Sequence, residues 1–130
     1  MLGIVPLYAA LLAALYFFLR LRVIRMRRRE RIALGDGENA RLERAIRVHA
    51  NFAEYVPLAL LLAAFVELQQ SSPLMIHLIS LALITGRVVH AYGVSQEKED
   101  YRFRVVGMGL TFGAIVTSAL RLLSSFLFGL

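Results

Sequence analysis

The sequence predicts an all-α fold, an integral membrane bundle of four helices, and three observations predict it. Hydrophobic residues make up 58% of the 130 positions, more than a soluble domain of this size can bury. They fall into four stretches, each close to the ~20 residues that cross a hydrocarbon core as a helix. No segment alternates apolar and polar residues as a barrel strand does, and an open sheet cannot satisfy its backbone in lipid. The chain is long enough for one domain spanning residues 1–130.

The first helix is expected over about residues 2–22. It carries no charge before Arg20, and its arginines follow the apolar run, the reverse of a signal peptide, so it reads as a retained span. The second is expected over about 41–68, after a Gly35-Asp36-Gly37 turn and with Asn39 as its cap. It starts in the cytosol and enters the membrane partway along. Pro57 denies the Ala53 carbonyl its usual donor. The third is expected over about 74–93 and the fourth over about 103–128, within an apolar stretch that reaches Leu130.

The connections set an orientation. Between the first two helices runs RLRVIRMRRRERIALGDGENARLERAIR, with arginines at 25, 27, 28, 29 and 31 among others. The second connection, QQSSP, has no basic residue, and the third, GVSQEKEDYRFR, has Lys98, Arg102 and Arg104. Positive connections stay in the cytoplasm. Connections one and three are therefore expected inside and both termini outside. The net charge of +6 reads as topology and lipid binding, with no nucleic acid partner, since no reading domain accompanies it. With no cysteine, the chain has no disulfide, thiolate nucleophile or cysteine metal site. Any thiol chemistry needs a thiol brought by the substrate.

Helix two holds the most informative cluster. Arg44, Arg47, Asn51 and Glu54 are spaced three and four apart, which places them on one helical stripe. Ionic side chains at membrane depth face a bundle interior, a partner or a wet pocket. Arginines grip carboxylates through paired hydrogen bonds, and a glutamate holds an ammonium, so the stripe suits a zwitterion bearing several carboxylates. The competing reading is that Arg47 and Glu54 pair across helices. Arg87 on helix three and Arg104 at the start of helix four lie at similar depth to Arg47. Taken singly, Arg87 and Arg104 read as arginines snorkelling to headgroups. His49 and His90 lack ligand partners at helical spacing and read as hydrogen-bonding residues of the bundle rather than a metal site. His77 reads as interfacial and Glu67 as a solvated residue at the outer end of helix two.

The segment LERAIRVHANFAEYVP, Leu42 to Pro57, resembles the signature of the MAPEG superfamily, the membrane-associated proteins in eicosanoid and glutathione metabolism. Its arginine, histidine, asparagine, glutamate and proline stand here as Arg47, His49, Asn51, Glu54 and Pro57. GRVVHAYG, Gly86 to Gly93, looks like the family's third helix, and the overall look is closest to small bacterial members. The resemblance implies a homotrimer, in a bacterial inner membrane, that binds glutathione between subunits near the cytosolic face. It implies glutathione-binding roles for Arg47, Asn51, Glu54, Arg87, Tyr92, Arg22 and Arg20. Arg104 matches the arginine credited with stabilising the thiolate, the catalytic position. A lipophilic second substrate enters from the bilayer. The activity implied is a glutathione transferase, with peroxidase action on lipid hydroperoxides as a second possibility. Prostaglandin-forming members carry a serine and a tyrosine where this chain has Val105 and Met108, and a third-helix tyrosine where it has Val94, with Tyr92 near but not aligned. These departures put prostaglandin isomerisation in doubt. A non-catalytic lipid-binding scaffold of the same fold is the alternative. A transporter is a third class, argued against by the lack of inverted-repeat symmetry.

Overall fold

The computed structural model describes residues 1–129; Leu130, the end of the fourth apolar stretch, lies outside them. Four α-helices follow one another: α1 (Val5–Glu30), α2 (Ala40–Leu68), α3 (Pro73–Ser95) and α4 (Tyr101–Phe128). No strand occurs among the described residues. Each helix is long and apolar enough to cross a membrane.

Local chemistry sets most of the boundaries. Pro6 stands in the first turn of α1, where a missing N–H is harmless. Asn39 caps α2 by accepting from the Leu42 amide at 3.0 Å. Ser72 caps α3 by accepting from the Met75 amide at 3.3 Å, and Asp100 caps α4 by accepting from the Arg102 amide at 3.0 Å. Gly129 ends α4 with a φ of 65°, a left-handed cap suited to glycine.

α1 runs on to Glu30, eight residues beyond the expected end at 22. The arginine-rich stretch is not a loop but the last two turns of the helix. Its apolar positions continue the buried stripe: Leu19 and Val23 are buried, and Val23 with Met26 packs against Leu42 and Ala45 of α2. Arginine is a good helix former, and Arg27, Arg28 and Arg29 sit where the helix dipole favours cations. At 1.5 Å per residue α1 is about 39 Å long, more than a hydrocarbon core of ~30 Å. Its arginine end therefore projects beyond the lipid tails.

The core is formed by Leu12, Val48, Phe52, Val56, Leu83 and Ala114, among others, from all four helices. Leucines and phenylalanines such as Leu11, Phe18, Leu61, Leu78 and Leu120 point outward, the arrangement of a bundle whose solvent is lipid. The most extensive helix pair is α3 with α4, and it crosses at Gly86 and Gly107. Small residues let helix backbones approach closely without a hydrophobic drive between them.

Glu67 is not solvated as the sequence suggested. It is 8% exposed, and its carboxylate accepts from the amides of Gly3, Ile4 and Val5 at 2.8, 2.6 and 2.8 Å. The end of α2 thus caps the start of α1, satisfying the orphan donors of a helix N-terminus.

Candidate functional site

The stripe of α2 opens onto a cavity. A space of about 350 Å³ is lined by Ala40, Glu43, Arg44, Arg47, Asn51, His90, Val94, Arg104 and Met108. It lies where α2, the end of α3 and the start of α4 converge. Arg44, Arg47 and Asn51 reach it because three- and four-residue steps keep them on one face of α2.

Behind the cavity lies a buried polar knot centred on Arg87, which is 1% exposed. Its Nη2 donates to Asn51 Oδ1 and lies 3.0 Å from His90 Nδ1. Its Nη1 donates to Thr111 Oγ1 at 3.4 Å and approaches Met108 Sδ at 3.8 Å. Arg87 Nε has no partner among the described residues. Arg87 is thus no snorkelling arginine: a cation held by neutral groups of three helices fixes Asn51 and His90 on the cavity wall. Thr111 is itself fixed by donating to the Gly107 carbonyl at 2.9 Å.

The mouth of the cavity is tied by Glu99, from the short connection between α3 and α4. Glu99 Oε1 accepts from Arg44 Nη1 at 2.8 Å and from Arg104 Nη2 at 2.7 Å. Its side chain is 2% exposed, against 28% for Arg44 and 45% for Arg104. Arg44 Nη1 also donates to the Val94 carbonyl at 3.1 Å. Arg104 lies 5.7 Å from the Tyr101 ring centroid, within cation–π range.

The residues named from the sequence therefore separate into groups. Arg47, Asn51 and Arg104 line one cavity, and Arg87 supports it from behind. Glu54 is exposed and lies outside the lining. Tyr92 is 56% exposed and packs edge-on against Phe103, at 5.3 Å between ring centroids. Arg22 donates to Ser95 Oγ at 2.7 Å and lines a second cavity of about 480 Å³ with Met26, Arg41, Gln96, Glu97 and Lys98. Arg20 is exposed and lines neither. Arg20, Arg22, Glu54 and Tyr92 do not line the first cavity.

The histidines differ from one another. His90 is bonded to Arg87 as a bundle residue and also lines the cavity. His49 Nε2 is buried without a hydrogen-bond partner among the described residues, and the ring packs on Tyr16 at 4.9 Å between centroids. His77 Nδ1 lies 3.0 Å from the Tyr8 hydroxyl. No group of three His, Asp or Glu side chains among the described residues could hold a metal ion.

Glu99 and Glu43 are the site residues that sequence reasoning missed. Glu43 follows from the helical wheel, four residues before Arg47 as Arg47 is four before Asn51. Glu99 sits in a connection with no periodicity, and its partners are set by how the helix ends meet.

The MAPEG family profile matches residues 5–124. The inner membrane protein YecN of Escherichia coli (strain K12) is 37% identical over 114 residues, covering 88% of this chain and 86% of that protein. YecN of Escherichia coli O6:H1 (strain CFT073) is similar to the same extent. No solved structure matches the chain.

Proposed function

The chain belongs to the MAPEG family, and on that premise we propose that it is an inner-membrane glutathione transferase-like protein. It binds glutathione at the cytosolic face and activates the thiol toward lipophilic electrophiles. The observation that carries this reading is the cavity lined by Arg44, Arg47, Asn51 and Arg104. Its volume of about 350 Å³ falls within the range of about 300–1,000 Å³ for small-molecule sites. Three guanidiniums around one space suit a ligand with two carboxylates.

In this reading Arg47 and Arg44 take the carboxylates, and Asn51, held by Arg87, fixes the peptide portion. Arg104 faces the thiol. A cation beside a thiol lowers its pKa, so more of it is thiolate at neutral pH. The thiolate sulfur attacks the electrophilic carbon, a C–S bond forms, and the leaving group departs with its electron pair. With a lipid hydroperoxide the sulfur takes the distal oxygen and the lipid alkoxide leaves as its alcohol; a second glutathione then gives the disulfide and water. The apolar outer face lets lipophilic substrates arrive from the bilayer.

The protein works as a homotrimer with both termini outside and its basic connections in the cytosol. The arginine-rich end of α1 and the cluster of Lys98, Arg102 and Arg104 around the start of α4 support that orientation. A neighbouring protomer supplies what one protomer's cavity lacks: Arg20, Glu54 and Tyr92 stand on outward surfaces from which they can complete a site between subunits, while Arg22, half-buried and donating to Ser95, reaches it from the second cavity.

Met108 in the cavity lining and the exposed Val105, in place of the hydroxyl residues of prostaglandin-forming relatives, favour a second reading as a lipid-binding scaffold without turnover. Conjugation of glutathione to an aromatic electrophile separates the two. The enzyme reading expects turnover by the detergent-solubilised protein, at least about tenfold lower in Arg104→Ala. No turnover despite glutathione binding gives the scaffold. If Arg104→Ala forms as much thiolate as wild type, Arg104 does not activate the thiol.

A further inference from the structure

We infer that Glu99 is a positioning residue that sets how strongly Arg104 acidifies the bound thiol; this rests on the reading that Arg104 faces that thiol. The observation is the tie itself. One carboxylate oxygen, almost wholly buried, bridges guanidiniums from α2 and α4 that both line the cavity.

The tie has two effects. It fixes the direction of Arg104, a side chain otherwise 45% exposed and free to sample many rotamers. It also places a negative charge 2.7 Å from the Arg104 guanidinium, where it offsets much of the positive field that the cation projects across the cavity. Glu99 Oε2 has no hydrogen-bond partner among the described residues. The carboxylate is therefore directed wholly at Arg44 and Arg104 rather than shared with other donors.

The charge census gives this offset a purpose. Arg44, Arg47 and Arg104 surround the cavity and Arg87 lies behind it, while Glu43 is the acid in its lining. Without Glu99 the site would hold a strong excess of positive charge and would grip any polyanion. With Glu99 it still favours an anion, but the thiol keeps a pKa nearer neutrality, where it can cycle between forms. Glu99 thus trades thiolate fraction against release of anionic product.

The test is a pH titration of thiolate absorbance in the ultraviolet, with saturating glutathione on the full-length, detergent-solubilised protein. Glu99→Gln keeps the size of the side chain and removes its charge. Its bound thiol should titrate about one pH unit lower than in wild type, giving about tenfold more thiolate at a pH below both midpoints. Glu99→Asp, which keeps the charge, should stay near the wild-type midpoint. A midpoint in Glu99→Gln equal to or above wild type overturns the proposal, as does an equal shift in Glu99→Asp, since the effect would then belong to packing. If Glu99→Gln does not assemble, Glu99→Asn makes the same charge change and is read the same way. Failure of wild type to bind glutathione or form thiolate would instead overturn the reading of the site, and the role of Glu99 with it.

Discussion

Gly86 of α3 and Gly107 of α4 meet backbone to backbone: a Cβ on Gly86 would lie 2.8 Å from the Gly107 carbonyl oxygen, and one on Gly107 would lie 2.7 Å from the Gly86 carbonyl oxygen. This contact decides the chemistry next to it. It draws α3 and α4 close enough for Arg87 to reach Thr111 and for His90 to stand at the cavity wall. Gly107→Ala must push the helices apart, because the obstructing atoms are the Gly86 carbonyl oxygen and the His90 amide nitrogen and Cβ, none of which a rotamer change can move. A loss of about 1–3 kcal/mol is expected in detergent unfolding, with weaker glutathione binding. Gly109→Ala is the control, since a Cβ there meets nothing within 4 Å; its stability should hold or rise by up to about 1 kcal/mol, the helix preference of alanine over glycine.

Glu67 joins the end of α2 to the start of α1. Glu67→Ala strands three amides at the start of α1, with a loss of about 2 kcal/mol. Hydrogen exchange should quicken at residues 3–5 while the amides of α3 keep their protection. Unchanged exchange at those positions would show that the cap does not hold in the membrane protein.

Arg87 holds the site rather than the ligand. In Arg87→Met the bundle should still form, because an apolar chain of similar length replaces a buried cation that has no carboxylate partner among the described residues. Asn51 loses its donor, so glutathione affinity should fall about tenfold, the equivalent of one hydrogen bond of about 1.4 kcal/mol. Affinity equal to wild type by calorimetry would remove Arg87 from the account.

The third connection is fastened to α2 at the surface by Arg41 and Glu97. The Arg41 guanidinium holds the Glu97 carboxyl below the usual carboxylate range, first through its hydrogen bond and then through its charge. A carboxyl lowered in the folded state contributes stability that is present above its unfolded value of about 4.3 and is lost as pH falls through the lower folded value. Protease cleavage between residues 96 and 100 should therefore quicken below about pH 4.3 in wild type. In Arg41→Gln it should already be quick at neutral pH and gain less on acidification. The exposure of the pair keeps the effect small and sensitive to salt.

How much of this was legible in the sequence depends on how far each signal travels along the chain. The four spans follow from apolar stretches of bilayer length, and Asn39 was readable as a cap because its partner is three residues away. Arg44, Arg47 and Asn51 were readable as one wall because helical spacing is local. Glu54 shares the same spacing, but helical steps of about 100° carry it to the edge of the stripe, and it stands outside the cavity. The end of α1 is hidden by its charge: the arginines read as a connection, while the Leu19, Val23 and Met26 stripe carries the helix on to Glu30. Glu67 was misread because its partners are amides more than sixty residues away in the chain, without any pattern to announce them. Glu99 is hidden in part for the same reason: Arg104 is only five residues away, but Arg44 stands 55 residues back on α2 and only the fold brings it there.

Calorimetric titration of glutathione into the detergent-solubilised protein is the most direct measurement of whether this arginine-lined space is a ligand site. The account predicts saturable binding that weakens at least about tenfold in both Arg47→Ala and Asn51→Ala, with Arg28→Ala, on the exposed end of α1, binding as wild type does. Absence of binding by wild type, or affinity that is indifferent to Arg47 and Asn51, would contradict it.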